Sequence, residues 1–191
     1  MDILKRIISN VLTALYQPFW FALILSVLFM FVYKSYSSIK QAAKEWLSWF
    51  KSDSRFRRIF LLVFYIVMIL FRTLLNRKMW ANPVSDVIGP WGLHNANGEF
   101  TTECIENLAL FVPFTVILLW VLGEKTDSKM TMRSVLWKST KTSFVFSFTI
   151  EMLQLFLRLG TWQLSDLFYN TLGGAIGGLI YYIGYKHNSR R

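Results

Sequence analysis

The amino-acid sequence predicts an all-α fold: a polytopic membrane helical bundle of about five transmembrane helices, with one amphipathic helix on the cytoplasmic face. Three observations carry this. The 191 residues are 54% hydrophobic and 17% aromatic, more than an ordinary soluble domain holds. The apolar residues come in runs of membrane-spanning length. The basic excess, 21 Lys and Arg against 11 Asp and Glu, is distributed unevenly between alternate loops, as in a topology signal. The length suits one bundle rather than two independent domains.

Residues 11–33 form the first apolar run, preceded by Lys5 and Arg6 and interrupted by Pro18. A signal peptide has a shorter apolar core and a small-residue cleavage site. This run ends in Phe31-Val32-Tyr33-Lys34 and more spans follow, so it reads as an uncleaved first helix whose opening turns lie in the interface. Residues 34–58 are basic. Within them Ile39, Ala42, Ala43, Trp46, Trp49 and Phe50 recur at helical spacing, with Lys40, Lys44 and Lys51 opposite. That is an amphipathic helix lying on the bilayer surface with its tryptophans at interface depth.

Residues 59–75 are the second span, with Arg72 near its far end. Residues 76–103 are rich in Asn, Pro and Gly and form a loop; Trp80, Trp91 and Phe100 bring it to the membrane surface. The third span, 104–122, opens with Glu106 and Asn107 and contains Pro113, which should bend it unless a neighbour satisfies the freed carbonyl. Residues 123–141 read as a polar, basic loop. The fourth span is 142–157, with Lys138 and Lys141 placed to snorkel at its start. Gly160 and Thr161 mark a turn, 164–185 is the fifth span, and a short basic tail follows.

Five spans put the termini on opposite sides. Loops 34–58 and 123–141 and the tail hold 15 of the 21 Lys and Arg. The positive-inside rule therefore places the N-terminus outside and the C-terminus in the cytoplasm. All the polar residues that are costly in a span then fall in its outer half: Arg72, Glu106, Asn107, Glu151, Gln154, Arg158, Asp166 and Asn170. Glu151, Gln154 and Arg158, at i, i+3 and i+7, share one helical face. Together they predict a polar pocket open to the exterior and covered by loop 76–103. Its arginine forks suit a phosphate-bearing lipid head group or an anionic envelope polymer. The same acids and arginines fit internal ion pairs that only fix packing. Along the fifth span Asp166, Asn170, Gly174 and Gly178 are four apart, with Gly173 and Gly177 alongside. Small residues at that spacing predict close packing against the fourth span, more than a homodimer.

For catalysis, Glu151 and Asp166 are the candidate acid and base. No serine–histidine or cysteine–histidine pair accompanies them, and no Gly-rich phosphate loop occurs. Cys104 is the sole cysteine and His94 and His187 are the only histidines, which excludes an internal disulfide and leaves no zinc site. No cofactor is expected. Membrane lipid is the expected partner, and nucleic acid is not. No charged residue lies in the inner halves of the spans, so no polar path crosses the membrane and a transporter is disfavoured.

Three segments resemble the VanZ-like family. Glu106-Asn107-Leu108-Ala109-Leu110-Phe111-Val112-Pro113-Phe114 resembles its Asn-x-x-x-Phe-x-Pro-Phe/Gly segment. Glu151-x-x-Gln154 with Arg158 resembles its Glu-x-x-Gln motif. Ser165 to Gly174 is similar to its Asp-x-x-x-Asn-Thr-x-Gly-Gly segment. The motifs come in the family's order and cover roughly residues 59–191, a four-helix membrane domain. Residues 1–58 precede them as an extra N-terminal helix and basic interfacial helix. The segment Asn82-Pro83-Val84-Ser85 departs from the family's Asn-x-x-Pro-Phe pattern. The resemblance implies a bacterial plasma-membrane protein contributing to resistance to teicoplanin-type glycopeptides. The alternative is an intramembrane enzyme that modifies a lipid-linked cell-envelope precursor at the outer leaflet.

Overall fold

The computed structural model describes residues 2–34, 39–79, 81–94, 97–123 and 130–188. It contains seven α-helices: α1 (Asp2–Tyr16), α2 (Phe19–Lys34), α3 (Ile39–Ser52), α4 (Ser54–Leu70), α5 (Glu103–Gly123), α6 (Met132–Leu157) and α7 (Leu164–Asn188). A π-helical turn, Phe71–Leu75, extends α4. Among the described residues, β-type pairing is confined to two isolated bridges. Trp80, Lys125, Lys129, Arg190 and Arg191 lie outside the described residues, as do the side chains of Lys34, Ile39, Lys40 and Ala42.

The first apolar run is two helices rather than one. Pro18 has no N–H to donate and its ring excludes the preceding turn, so α1 stops at Tyr16 and a new helix starts at Phe19. Ala22 N–H then donates to Pro18 O, 2.8 Å. Ala22, Ser26 and Met30, four apart, are fully buried on the face of α2 turned to α4.

α3 is amphipathic as expected; of its two tryptophans Trp49 is exposed, whereas Trp46 packs into the bundle. Trp46 stacks on Phe50 (5.1 Å between centroids) and meets Phe56 and Phe60 of α4 edge-on, at 5.8 and 5.9 Å. α4 begins at Ser54, not at residue 59. Asp53 caps it, its carboxylate accepting from the N–H groups of Arg55 (2.8 Å) and Phe56 (3.2 Å). The arginines assigned to the basic loop, Arg55, Arg57 and Arg58, are thus in the first turns of a helix.

The stretch before the expected fourth span is also helical. α6 starts at Met132, capped by Thr131, not at residue 142. Val135, Ser139, Ser143 and Ser147 are buried at four-residue spacing, so serines that resemble a polar loop form a packed stripe. Lys138 and Lys141 are exposed. α5 runs unbroken through Pro113.

Two helices are long and apolar enough to cross a membrane: Ser54–Leu75, of 22 residues, and Glu103–Gly123, of 21. Phe19–Tyr33 is a shorter apolar helix. α7 packs against both α5 and α6, and its glycines set the approach. A Cβ on Gly173 or Gly177 would overlap the carbonyl oxygens of Leu108 and Val112 in α5. One on Gly174 or Gly178 would overlap Ser143 and Ser139 in α6. The glycine stripe therefore serves two helices, where close packing against the fourth span alone was expected. The apolar core, built on Tyr65, Ile69, Phe111, Phe114 and Ile150, lies among α4, α5 and α6.

Candidate functional site

The end of α4 is the first component. The turn 71–75 closes with Asn76 N–H donating to Phe71 O, 2.8 Å. The last carbonyls of a helix have no partner within it. One of them, Thr73 O, is taken by the Gln154 side-chain amide of α6 at 2.8 Å. Three residues earlier on the same face of α6, Glu151 accepts the Gln163 backbone N–H, 3.0 Å, just before α7 begins. The Glu-x-x-Gln pair therefore clasps two backbone segments at once. Both side chains are 2% exposed.

The starts of α5 and α7 supply the second component. Asn107 donates to Asp166 across the helix pair, 2.6 Å. One turn further in, Asn170 donates to Ser147 of α6, 2.9 Å. Glu106 pairs with Arg72 of the π turn and accepts from the Thr102 hydroxyl at 2.5 Å. Asn10 of α1 reaches the same hydroxyl, 2.8 Å.

These groups border a cavity of about 390 Å³, lined by Arg72, Glu106 and Asn107 together with Arg6, Asn10, Asn76, Arg77, Phe100, Thr101, Thr102 and Glu103. Asp166 sits one hydrogen bond behind it. Glu151, Gln154 and Asn170 are buried deeper and hold the frame rather than line the space. The candidate acid and base, Glu151 and Asp166, are therefore not among the residues facing the cavity. Among the described residues no group of three or more His, Cys, Asp or Glu is arranged to hold a metal.

Arg158 is not on the polar face. α6 ends at Leu157, and Arg158 takes the left-handed conformation, φ 54°, that closes the helix. Its N–H bonds Leu155 O and the next N–H bonds Gln154 O, at 3.3 and 2.9 Å, a Schellman ending with arginine where glycine is usual. The i+7 position of the stripe exists only while the helix continues. Here it does not, and Arg158 is exposed.

The loop expected to cover the pocket docks on the segment after α6, and only its two ends, Asn76 and Arg77 and Phe100 to Glu103, border the cavity. Gly160 N–H donates to Lys78 O (3.1 Å), Trp162 to Pro83 O (2.8 Å), Leu164 to Val87 O (2.8 Å) and Ser165 to Ile88 O (3.2 Å). Trp91 lies on Phe168 and Tyr169, with centroids 5.1 and 5.9 Å away. Gly89, at φ +70°, passes so close to Ser165 that a Cβ would overlap its hydroxyl.

Arg77, Arg6 and Asn10 were not among the expected site residues. Arg77 lies two residues past the apolar helix that ends at Leu75, and Arg6 and Asn10 are four apart on α1. Charges outside a span carry no insertion cost, so nothing in the composition singles them out. Only the four-residue spacing of Arg6 and Asn10 was visible as a signal.

The VanZ/LLP1 family model matches residues 19–185. The match takes in α2 to α6 and nearly all of α7, and reaches upstream of the three motifs into residues 19–58. No curated protein matches the chain, and no solved structure does. With nearly its whole length matched, and with the three motifs converging on one end of the helical fold, the chain belongs to the VanZ/LLP1 family.

Proposed function

We propose that the protein is a five-span bacterial plasma-membrane protein that lowers susceptibility to teicoplanin-type glycopeptides by holding an anionic envelope lipid or polymer in the cavity at its exterior end. The spans are α2, α4 with its π turn, α5, α6 and α7, with the N-terminus outside and the C-terminus cytoplasmic. Family membership supports the link to glycopeptides. The lopsided distribution of Lys and Arg supports the orientation.

The observation that carries the ligand class is the charge of the cavity wall. Three guanidinium groups, Arg6, Arg72 and Arg77, line it against two carboxylates, Glu103 and Glu106. Arg72 is already paired with Glu106. Arg77, half-buried, has no carboxylate within ion-pair distance among the described residues. A partly desolvated guanidinium facing open space is a site for a carboxylate or phosphate oxygen.

The test is complementation of a deletion strain. Loss of the gene lowers the teicoplanin inhibitory concentration, the wild-type gene restores it, and Arg77→Ala at equal protein level does not. Removing one charge-assisted contact weakens ligand binding about tenfold. Full restoration by Arg77→Ala would remove the cavity from the explanation.

A further inference from the structure

We infer that α1 is the wall of this cavity that faces the lipid, and that the anion the cavity takes is the phosphate head group of a lipid entering sideways from the outer leaflet. This rests on the reading of the cavity as an anion site and names the chemical class of its ligand.

The position of α1 is set by three contacts. Gln17, just past its end, accepts from Asn76 at 3.1 Å. Asn10 donates to Thr102 at 2.8 Å. The Arg6 guanidinium lies 5.1 Å from the Phe100 ring centroid. Asn76 follows the last turn of α4, and Thr102 immediately precedes α5, so both mark the same end of the bundle. α1 therefore lies across that end, bridging the two sides of the cavity with one polar edge. At 15 residues it is about 22 Å long, enough to do so.

The opposite edge is apolar and uncovered. Leu4, Ile8, Leu12 and Tyr16, each four residues on, are 63%, 49%, 59% and 75% exposed. The series continues through the Pro18 break into α2 as Trp20, Ile24, Leu28 and Val32, all exposed and all at the same spacing. α2 is the apolar helix whose other face, Ala22, Ser26 and Met30, is buried in the bundle. Exposed apolar residues thus lie both along α2, a span in the reading above, and along the α1 helix that precedes it. The lipid that covers a spanning α2 then also covers the apolar edge of α1. A polar edge carrying Arg6 and Asn10 opposite an apolar edge in acyl chains places the cavity mouth at head-group depth. A phosphate ester with tails fits both edges, whereas a water-soluble anion uses only the first.

Wild-type protein in phosphatidylcholine nanodiscs doped with phosphatidylglycerol is examined by native mass spectrometry, with glycerol 3-phosphate as the soluble competitor. Wild-type protein retains phosphatidylglycerol. Arg77→Ala retains about tenfold less, Arg77→Lys keeps part of the retention because the charge remains, and glycerol 3-phosphate displaces the lipid poorly. In a second measurement, a spin label on Leu12→Cys in a Cys104→Ser background is relaxed more by oxygen than by a water-soluble nickel chelate. Equal competition by glycerol 3-phosphate, or preferential relaxation by the nickel chelate, overturns the lateral lipid entry and leaves an anion taken from water. Failure of the wild type to retain either probe overturns the anion site itself, and this inference with it.

Discussion

Along α7, the glycines from Gly173 to Gly178 and the polar residues from Asp166 to Asn170 are held in different ways. The glycines are held by contact. Gly173 and Gly177 lie on the main chain of α5, and Gly174 and Gly178 on Ser143 and Ser139 of α6, with no room for a Cβ. The polar residues are held by single hydrogen bonds, Asp166 to Asn107 and Asn170 to Ser147. Around them several buried atoms have no partner: Asn170 Oδ1, Gln154 Oε1 and Ser165 Oγ. A filled seam stabilises a fold, whereas unsatisfied buried polar atoms cost about 1–3 kcal/mol each. The glycine-bearing part of α7 is built for rigidity. The polar part gives up stability to keep buried polar groups behind the cavity wall.

The seam gives the largest expected effect. Gly173→Leu drives a side chain into the Leu108 carbonyl, a main-chain obstacle that no rotamer change clears. The expected loss is about 3 kcal/mol, read as a lower Tm and less monodisperse protein in detergent. A milder pair sharpens the point. Gly174→Ala meets the Ser143 side chain, so Ser143→Gly should recover much of its cost in a double-mutant cycle. No truncation in α5 should recover Gly173→Ala. Equal rescue at both positions would mean that the two sides of the seam are alike after all.

At the polar end the expected effect is smaller in stability and larger in function. Gln154→Ala leaves Thr73 O without its donor and costs about 1–2 kcal/mol. It also frees the turn that carries Arg72 into the cavity, so complementation of the deletion strain should fall while the protein still accumulates. If resistance falls only in proportion to protein level, Gln154 is a packing residue and the contrast between the two regions weakens.

Most of the polar end was legible because polar residues in apolar runs are expensive and so stand out. Glu106, Asn107, Glu151, Gln154, Asp166 and Asn170 do meet at one end. The glycine spacing likewise announced a close approach, although only the three-dimensional arrangement shows it shared between α5 and α6. What escaped notice did so for physical reasons. Arg77, Arg6 and Asn10 sit where charge is cheap. Ser139, Ser143 and Ser147 look solvated until their four-residue spacing is set against the glycines of α7. The start of α6 was placed ten residues late because a buried serine stripe lowers local hydropathy much as a loop does.

The least costly substitution makes the finest distinction between the two regions. Arg158 was placed on the polar stripe by periodicity, yet it occupies the left-handed closing position of α6 with its side chain exposed. Non-glycine residues are disfavoured in that conformation, so Arg158→Gly should raise stability by about 0.5–1 kcal/mol. Arg158→Ala should stay within about 0.5 kcal/mol of wild type. Neither should alter teicoplanin susceptibility in the complemented strain, because the cavity already has Arg6, Arg72 and Arg77 in its wall. A drop in resistance with both variants at unchanged Tm would return Arg158 to the ligand. It would also mean that the binding surface extends past the end of α6, outside the cavity framed by α1, α4 and α5.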